Sequence, residues 1–179
     1  MPPWLTITIA IFTILGSGVV SGIVTYKLNA SQKEREFRRE KLEECFRAVH
    51  HYLMSLVTNY IVWAEVMAGK LTYDQANDMI IAGSKPEYRE YSLLAELLIR
   101  LYFPSLQTHF DALLRTRDEL SRLQGDFRRC YQRDGPTADY REQRKVYLAV
   151  FKKLDAHDKD LKNAICSVAE KLRVGTNVA

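Results

Sequence analysis

The first 26 residues contain no Asp, Glu, Lys, Arg or His, so all 26 Lys and Arg and all 22 Asp and Glu of this 179-residue chain lie from Lys27 onward. Other absences narrow the field further. With 5 Pro and 8 Gly the chain is neither collagen-like nor linker-rich. No self-similarity recurs at a period of roughly 20 to 50 residues, which removes a solenoid. The cysteines, Cys45, Cys130 and Cys166, form no CxxC pair, so zinc and dithiol chemistry have no ligand spacing to rest on. An odd number of separated thiols fits a reducing, cytoplasmic compartment, each expected as a small core or boundary residue. There is no GxxxxGK, GxSxG or GxGxxG, and with them go the phosphate loop, the nucleophile elbow and the dinucleotide fingerprint.

Four histidines remain, His50, His51, His109 and His157. A dinuclear bundle site needs Glu-x-x-His on two helices and a zinc protease needs His-Glu-x-x-His; neither spacing occurs. The His157-Asp158 dipeptide lacks further His and Asp partners and reads as a polar surface pair. Helical ribonucleases of the HEPN type carry Arg, four to six residues, then His. Arg47 stands too close to His50 and His51, and Arg100 too far from His109, for that pattern. No catalytic, cofactor-binding or metal-binding residue is assigned.

What the uncharged end does have is length. Trp4 to Tyr26, WLTITIAIFTILGSGVVSGIVTY, spans about 34 Å as a helix, enough to cross a hydrocarbon core of about 30 Å. Trp4 and Tyr26 bracket it at headgroup depth, and Pro2 and Pro3 suit a helix start. A cleaved signal peptide would show a basic start and a shorter apolar stretch. Lys27, Lys33, Arg35, Arg38, Arg39 and Lys41 follow the run, which puts the amino terminus outside and the remainder in the cytoplasm. Gly18 and Gly22 have the GxxxG spacing that lets two membrane helices approach closely, with Ser17 and Ser21 beside them as small, hydrogen-bonding neighbours. Thr6, Ala10, Thr13, Ser17 and Ser21 share one face.

After Tyr26 the chain reads as helix almost throughout. Residues 27–41 are charged on nearly every side, with Glu34 and Arg38 four apart as a favourable pair; Asn29 and Ser31 permit a hinge at the start. Leu42, Phe46, Val49, Leu53, Leu56, Tyr60, Trp63 and Met67 then alternate steps of four and three, the seam of a buried helix. Gly69 ends it. Thr72 and Gln75 fit a capping box opening a short helix closed by Gly83. Ser84, Pro86 and Glu87 restart the pattern, with Tyr88, Tyr91, Leu94, Leu97, Leu98 and Leu101 expected on one buried side, and Pro104 kinks or interrupts it. Leu106, Phe110, Leu113, Leu120, Leu123, Phe127 and Tyr131 continue to Asp134-Gly135-Pro136. Thr137 is placed to cap a last helix with Tyr140, Tyr147, Val150, Phe151, Leu154, Leu161, Ile165, Val168 and Leu172 inward. No segment has a period of two. Short connections favour antiparallel neighbours, giving three long helices, the middle one broken at Pro104, and one short helix.

The net charge of +4 is spread thinly, so no dominant basic face invites nucleic acid. Arg128, Arg129 and Arg133 before the Gly-Pro turn and Arg141, Arg144 and Lys145 after it are the best local candidates for contact with anionic lipid or an acidic partner. The order of parts, membrane helix then charged helix, resembles peripheral-stalk subunits of ATP synthases; here short turns, prolines and aromatics imply a compact bundle instead of an extended stalk.

The sequence therefore predicts an all-α protein: a single amino-terminal transmembrane helix over 1–26, a charged helical stalk over 27–41, a cytoplasmic antiparallel helical bundle over 42–174 and a flexible tail over 175–179. The expected function is protein–protein interaction or self-assembly at the membrane, without enzymatic activity or cofactor. Expected partners are the lipid bilayer and either a homo-oligomer or another membrane protein, with no nucleic acid and no evident small-molecule substrate. A bacterial inner membrane suits the charge-governed topology. The alternative is a membrane-permeabilising effector of toxin or defence type, whose bundle controls assembly of the transmembrane helices and whose hydroxyl face lines a wet path.

Overall fold

The structure, a computed structural model, describes residues 3–83, 87–135 and 139–174, with side chains for Tyr26, 29–83, 89–135 and 139–174. Among the described residues there are α-helices α1 (Pro3–Met67), α2 (Tyr73–Gly83), α3 (Glu87–Tyr102), α4 (Gln107–Asp134) and α5 (Arg141–Val174), one 3-10 turn at Pro104–Leu106, and no strand. The chain divides into two compact units, Met1–Glu40 and Lys41–Ala179.

In the first unit the backbone is helical through Asn29 and Ser31, so the permitted hinge is not taken. Arg38 and Glu34 pair at 3.2 Å across one helical turn, and Arg35 Nε donates to the Ser31 carbonyl at 3.3 Å. Among the described residues no helix is long and apolar enough to cross a membrane. The side chains of the uncharged run before Tyr26, including Ser17, Gly18, Ser21 and Gly22, lie outside them, as do Ser84, Pro86, Thr137 and the tail 175–179.

The second unit is a helical bundle whose boundaries have local causes. Gly69, at φ 71°, ends α1: its N–H bonds the Val66 carbonyl at 2.9 Å and the Lys70 N–H reaches back to Glu65 at 3.0 Å, a Schellman pair that a left-handed residue permits. Thr72 then opens α2 with both halves of a capping box. Its Oγ1 accepts from the Gln75 N–H at 3.2 Å, and the Gln75 amide oxygen accepts from the Thr72 N–H at 2.9 Å. Gly135, at φ 79°, closes α4 by donating to Tyr131 at 2.9 Å. At the start of α5, Asp139 Oδ1 accepts from the Arg141 N–H at 3.0 Å and Tyr140 Oη donates to the Gly135 carbonyl at 2.7 Å.

Pro104 does more than kink a helix. It occupies the first position of the 3-10 turn, where its missing donor costs nothing, and the chain changes direction there. Tyr91 of α3 stacks on His51 at 4.8 Å, while Arg117 of α4 donates to the hydroxyl of the neighbouring Tyr52 at 2.9 Å. Residues 91 and 117 thus lie at one level of α1, although a continuous helix would set them about 39 Å apart. The expected single broken helix is two: α3 descends beside α1 and α4 rises again. Tyr60 meets Arg117 and Ser121, and Trp63 meets Phe127, so α4 ascends in step with α1. On α5, Arg144 is level with Ala64 and Tyr147 with Tyr60, so α5 descends.

The core collects the predicted seams: Leu42, Val49, Leu53, Tyr60, Trp63 and Met67 of α1, Phe110, Leu113, Leu120 and Phe127 of α4, and Tyr147, Val150, Leu154, Leu161, Ile165 and Val168 of α5 are buried. Two expectations fail. Phe46 is 39% exposed, and Cys45, Ala48 and Tyr52 fill its layer. On α3 the inward side is Ala95, Leu98 and Ile99, followed by Phe103, while Leu97 and Leu101 face out. The inward side chains of α3 are smaller or lie one step further along because the helix is rotated relative to the simple leucine count.

Candidate partner-binding groove

Five of the six basic residues around the Gly135 turn are engaged separately. Arg129 bonds Asp126, Arg133 bonds Asp134 and Arg141 bonds Asp139. The Arg133 hydrogen bond holds the Asp134 carboxyl below its usual range, and the Arg141 backbone N–H does the same for Asp139. Arg128 serves the fold: its guanidinium lies 4.3 Å from the Trp63 ring centroid, a cation–π contact. With the Gln124 amide turned so that its oxygen faces them, that oxygen accepts from both Arg128 and the Trp63 indole. Arg144 Nε donates to the Ala64 carbonyl at 3.2 Å, satisfying an acceptor in the last turn of α1. Of the six residues, Lys145 alone lies on the groove described below.

The remaining sequence candidates are structural or isolated. Cys45 is fully buried, and burial, with the nearby Glu44 adding to it, pushes its thiol up to about 12. Cys130 is half-buried, but Cys166 is exposed, contrary to the expected core or boundary position, because it falls on the outer side of α5. Among the described residues no three His, Cys, Asp or Glu converge on a metal position. A buried polar chain joins the helices: Tyr147 Oη donates to the Tyr60 carbonyl at 3.2 Å, and Tyr60 Oη bonds the Arg117 carbonyl at 3.1 Å and Ser121 at 3.0 Å. Burial raises both phenols, so they stay protonated and donate hydrogen bonds.

The concave feature with the clearest recognition chemistry lies along the α1/α5 seam. Leu53, Val57 and Ile61 of α1 and Leu148, Phe151 and Leu154 of α5 enclose an apolar groove of about 700 Å³. Such a volume suits an inserted ligand or the anchor side chains of a docked segment. Its polar fringe is graded along α5: Lys145 at one end, Lys152 between, Asp155 and Asp158 at the other. Asp155 pairs with Lys159 at 2.7 Å and Asp158 Oδ2 accepts from Lys162 at 2.7 Å. Asp158 Oδ1 is buried without a donor, and such an oxygen carries a desolvation cost of about 1–3 kcal/mol until something bonds it.

A second apolar feature is convex. Leu93, Leu97 and Leu101 of α3 are 59%, 54% and 63% exposed. Spaced by four, they stand above one another as one ridge, with Arg89 in line before it, Glu90 beside that, and Arg100, bonded to Glu96 at 2.6 Å, near its end.

No known protein family, curated protein or solved structure matches the chain. Neither groove nor ridge was singled out from the sequence. Val57 and Ile61 lie just off the four-three seam of α1, and that surplus of apolar residues beside an already complete seam is the signal that could have found the groove.

Proposed function

We propose that the chain is a single-pass membrane protein whose cytoplasmic helical bundle works by binding a partner or a copy of itself, with no catalysis of its own. The uncharged run of 26 residues and the Lys/Arg-rich flank after it support the anchoring and its orientation. The observation that carries the binding role is the open α1/α5 groove. An apolar channel of about 700 Å³ open along the seam is a poor surface to leave in water and a good one to cover. In the membrane, Gly18 and Gly22 favour close helix association, and Ser17 and Ser21 add hydrogen-bonding capacity.

The anchoring is tested by location. Full-length chain expressed in cells should stay in the membrane pellet through an alkaline wash and appear only in detergent. A variant with Ile7, Ile11, Leu15 and Val19 changed to Asp should move to the supernatant. Release of the unaltered chain by the alkaline wash would overturn the anchoring.

A further inference from the structure

The ionic groups on the α1/α5 groove are unequally committed. From this imbalance and the shape of the floor we infer that the occupant is an amphipathic helix of a partner protein, with an apolar face for the floor and an acidic edge for α5. This deepens the partner-binding reading and rests on it.

The floor has the spacing of a helix seat. Leu53, Val57 and Ile61 rise along α1 at steps of four, while Leu148, Phe151 and Leu154 line the α5 side at steps of three. From Lys145 to Asp158 the seam measures about 20 Å, the length of a helix of roughly three and a half turns. A helix laid between two others offers them side chains at i, i+3, i+4 and i+7. Ala149 is exposed on the α5 side, where a larger side chain would narrow the mouth.

Charge selects the chemistry of the incoming edge. Both carboxylates on the groove are held by lysines of their own chain, Asp155 by Lys159 and Asp158 by Lys162, each at 2.7 Å. Glu65, one turn beyond Ile61 on α1, is held by Lys70 at 2.9 Å. The other acids of this part of α5 lie elsewhere: Glu142 lines the hollow between α4 and α5, and Asp160 the one beside His109. Lys145 and Lys152 are exposed, and neither has an ion-pair partner among the described residues. The groove therefore presents two unspent cations and no carboxylate without a base.

Seven residues, two helical turns or about 10 Å, separate Lys145 from Lys152. Positions i and i+7 of an incoming helix have the same separation, so a carboxylate at each answers both lysines. An acyl chain lying in the groove brings one headgroup and answers one. A second copy of this chain fits less well: its exposed row of leucines on α3 carries both signs, with Arg89 in line before Leu93 and Arg100 bonded to Glu96.

The experiment uses the full chain in discs of neutral phosphatidylcholine bilayer, with empty discs as the control and circular dichroism as the check on folding. The probes are two fluorescent helical peptides of about fifteen residues with capped ends and one shared leucine-rich face. One carries Glu at two edge positions seven apart, the other Lys. Anisotropy should show the Glu peptide binding roughly tenfold or more tighter than the Lys peptide. Ile61→Glu and Ala149→Trp, both at exposed positions, should each abolish binding of the Glu peptide. Lys145→Glu combined with Lys152→Glu should reverse the preference, and this exposed pair decides the matter if either groove variant misfolds. Equal binding of the two peptides, binding that survives Ile61→Glu, or an unreversed preference would each overturn the acidic helix. Displacement of the Glu peptide by palmitate at lower concentration than by unlabelled peptide would assign the groove to an acyl chain. A particle of several copies that the Glu peptide splits would assign it to the chain itself. If neither peptide binds while Ile61→Glu still strips mass from the native particle, the acidic helix fails and the partner-binding reading stands; a native particle that is one lone chain removes that reading as well.

Discussion

Leu97 and Leu98 are neighbours in sequence with opposite surroundings, and truncating each in turn tests how α3 is rotated. Leu98 is 2% exposed and Leu97 54%. Leu98→Ala removes buried methyl groups and leaves a cavity beside Ala95 and Ile99, which costs about 2–5 kcal/mol. Leu97→Ala takes nothing from the core of its own chain and should change stability by no more than about 0.5 kcal/mol. For a bundle of this size about 3 °C of melting temperature accompanies each kcal/mol, so Leu98→Ala should melt about 6–15 °C lower and Leu97→Ala within about 2 °C of the parent. Thermal unfolding followed by circular dichroism reads both, in detergent and at protein concentrations low enough that assembly adds no stability by mass action. Equal losses in the two variants would refute the rotation, and with it the ridge of Leu93, Leu97 and Leu101.

Alkaline stability should follow the buried thiol and phenols. Cys45 is raised to about 12 from 9.0, and Tyr60 and Tyr147 are raised as well, so the native state holds protons that the unfolded chain gives up first. The contribution of these groups is therefore flat below about pH 9, falls by up to about 1.4 kcal/mol per pH unit and per group above the unfolded value, and is lost progressively as pH approaches 12; urea midpoints between pH 8 and 10.5 should show it, with a shallower fall in Cys45→Ala. A maleimide should label Cys166 in the native protein at once and Cys45 only on unfolding, since the former is exposed and the latter buried; rapid native labelling of Cys45 would contradict the core packing of α1. Thr72→Ala removes the acceptor for the Gln75 N–H and should cost about 1 kcal/mol, measurable as a lower urea midpoint with an unchanged slope.

Much of the fold was legible because helices announce themselves by period and punctuation. The seams of α1, α4 and α5 repeat every three or four residues, and Gly69, the Thr72–Gln75 box and Gly135 end or begin helices where their backbone demands it. The Pro104 turn was less legible: a proline marks an interruption, but the angle beyond it depends on what α3 and α4 pack against. Rotation of α3 was illegible for a related reason. Leu93, Leu94, Leu97, Leu98 and Leu101 cover a broad arc, and Ala95 and Ile99, which complete the buried side, attract little notice beside so many leucines. The basic residues near Gly135 misled because adjacency in sequence says nothing of partners. Arg128 finds Trp63 and Arg144 finds Ala64 across long separations, while Arg129, Arg133 and Arg141 are claimed by adjacent aspartates. The groove needed both helices in place before it existed.

The most direct measurement is the mass of the detergent-extracted full chain, with whatever chains come with it. The account predicts a particle larger than one 20.7 kDa chain, made of several copies or of the chain with a companion, and reduced in mass by Ile61→Glu in the groove. A lone monomer with no companion at any concentration would contradict it.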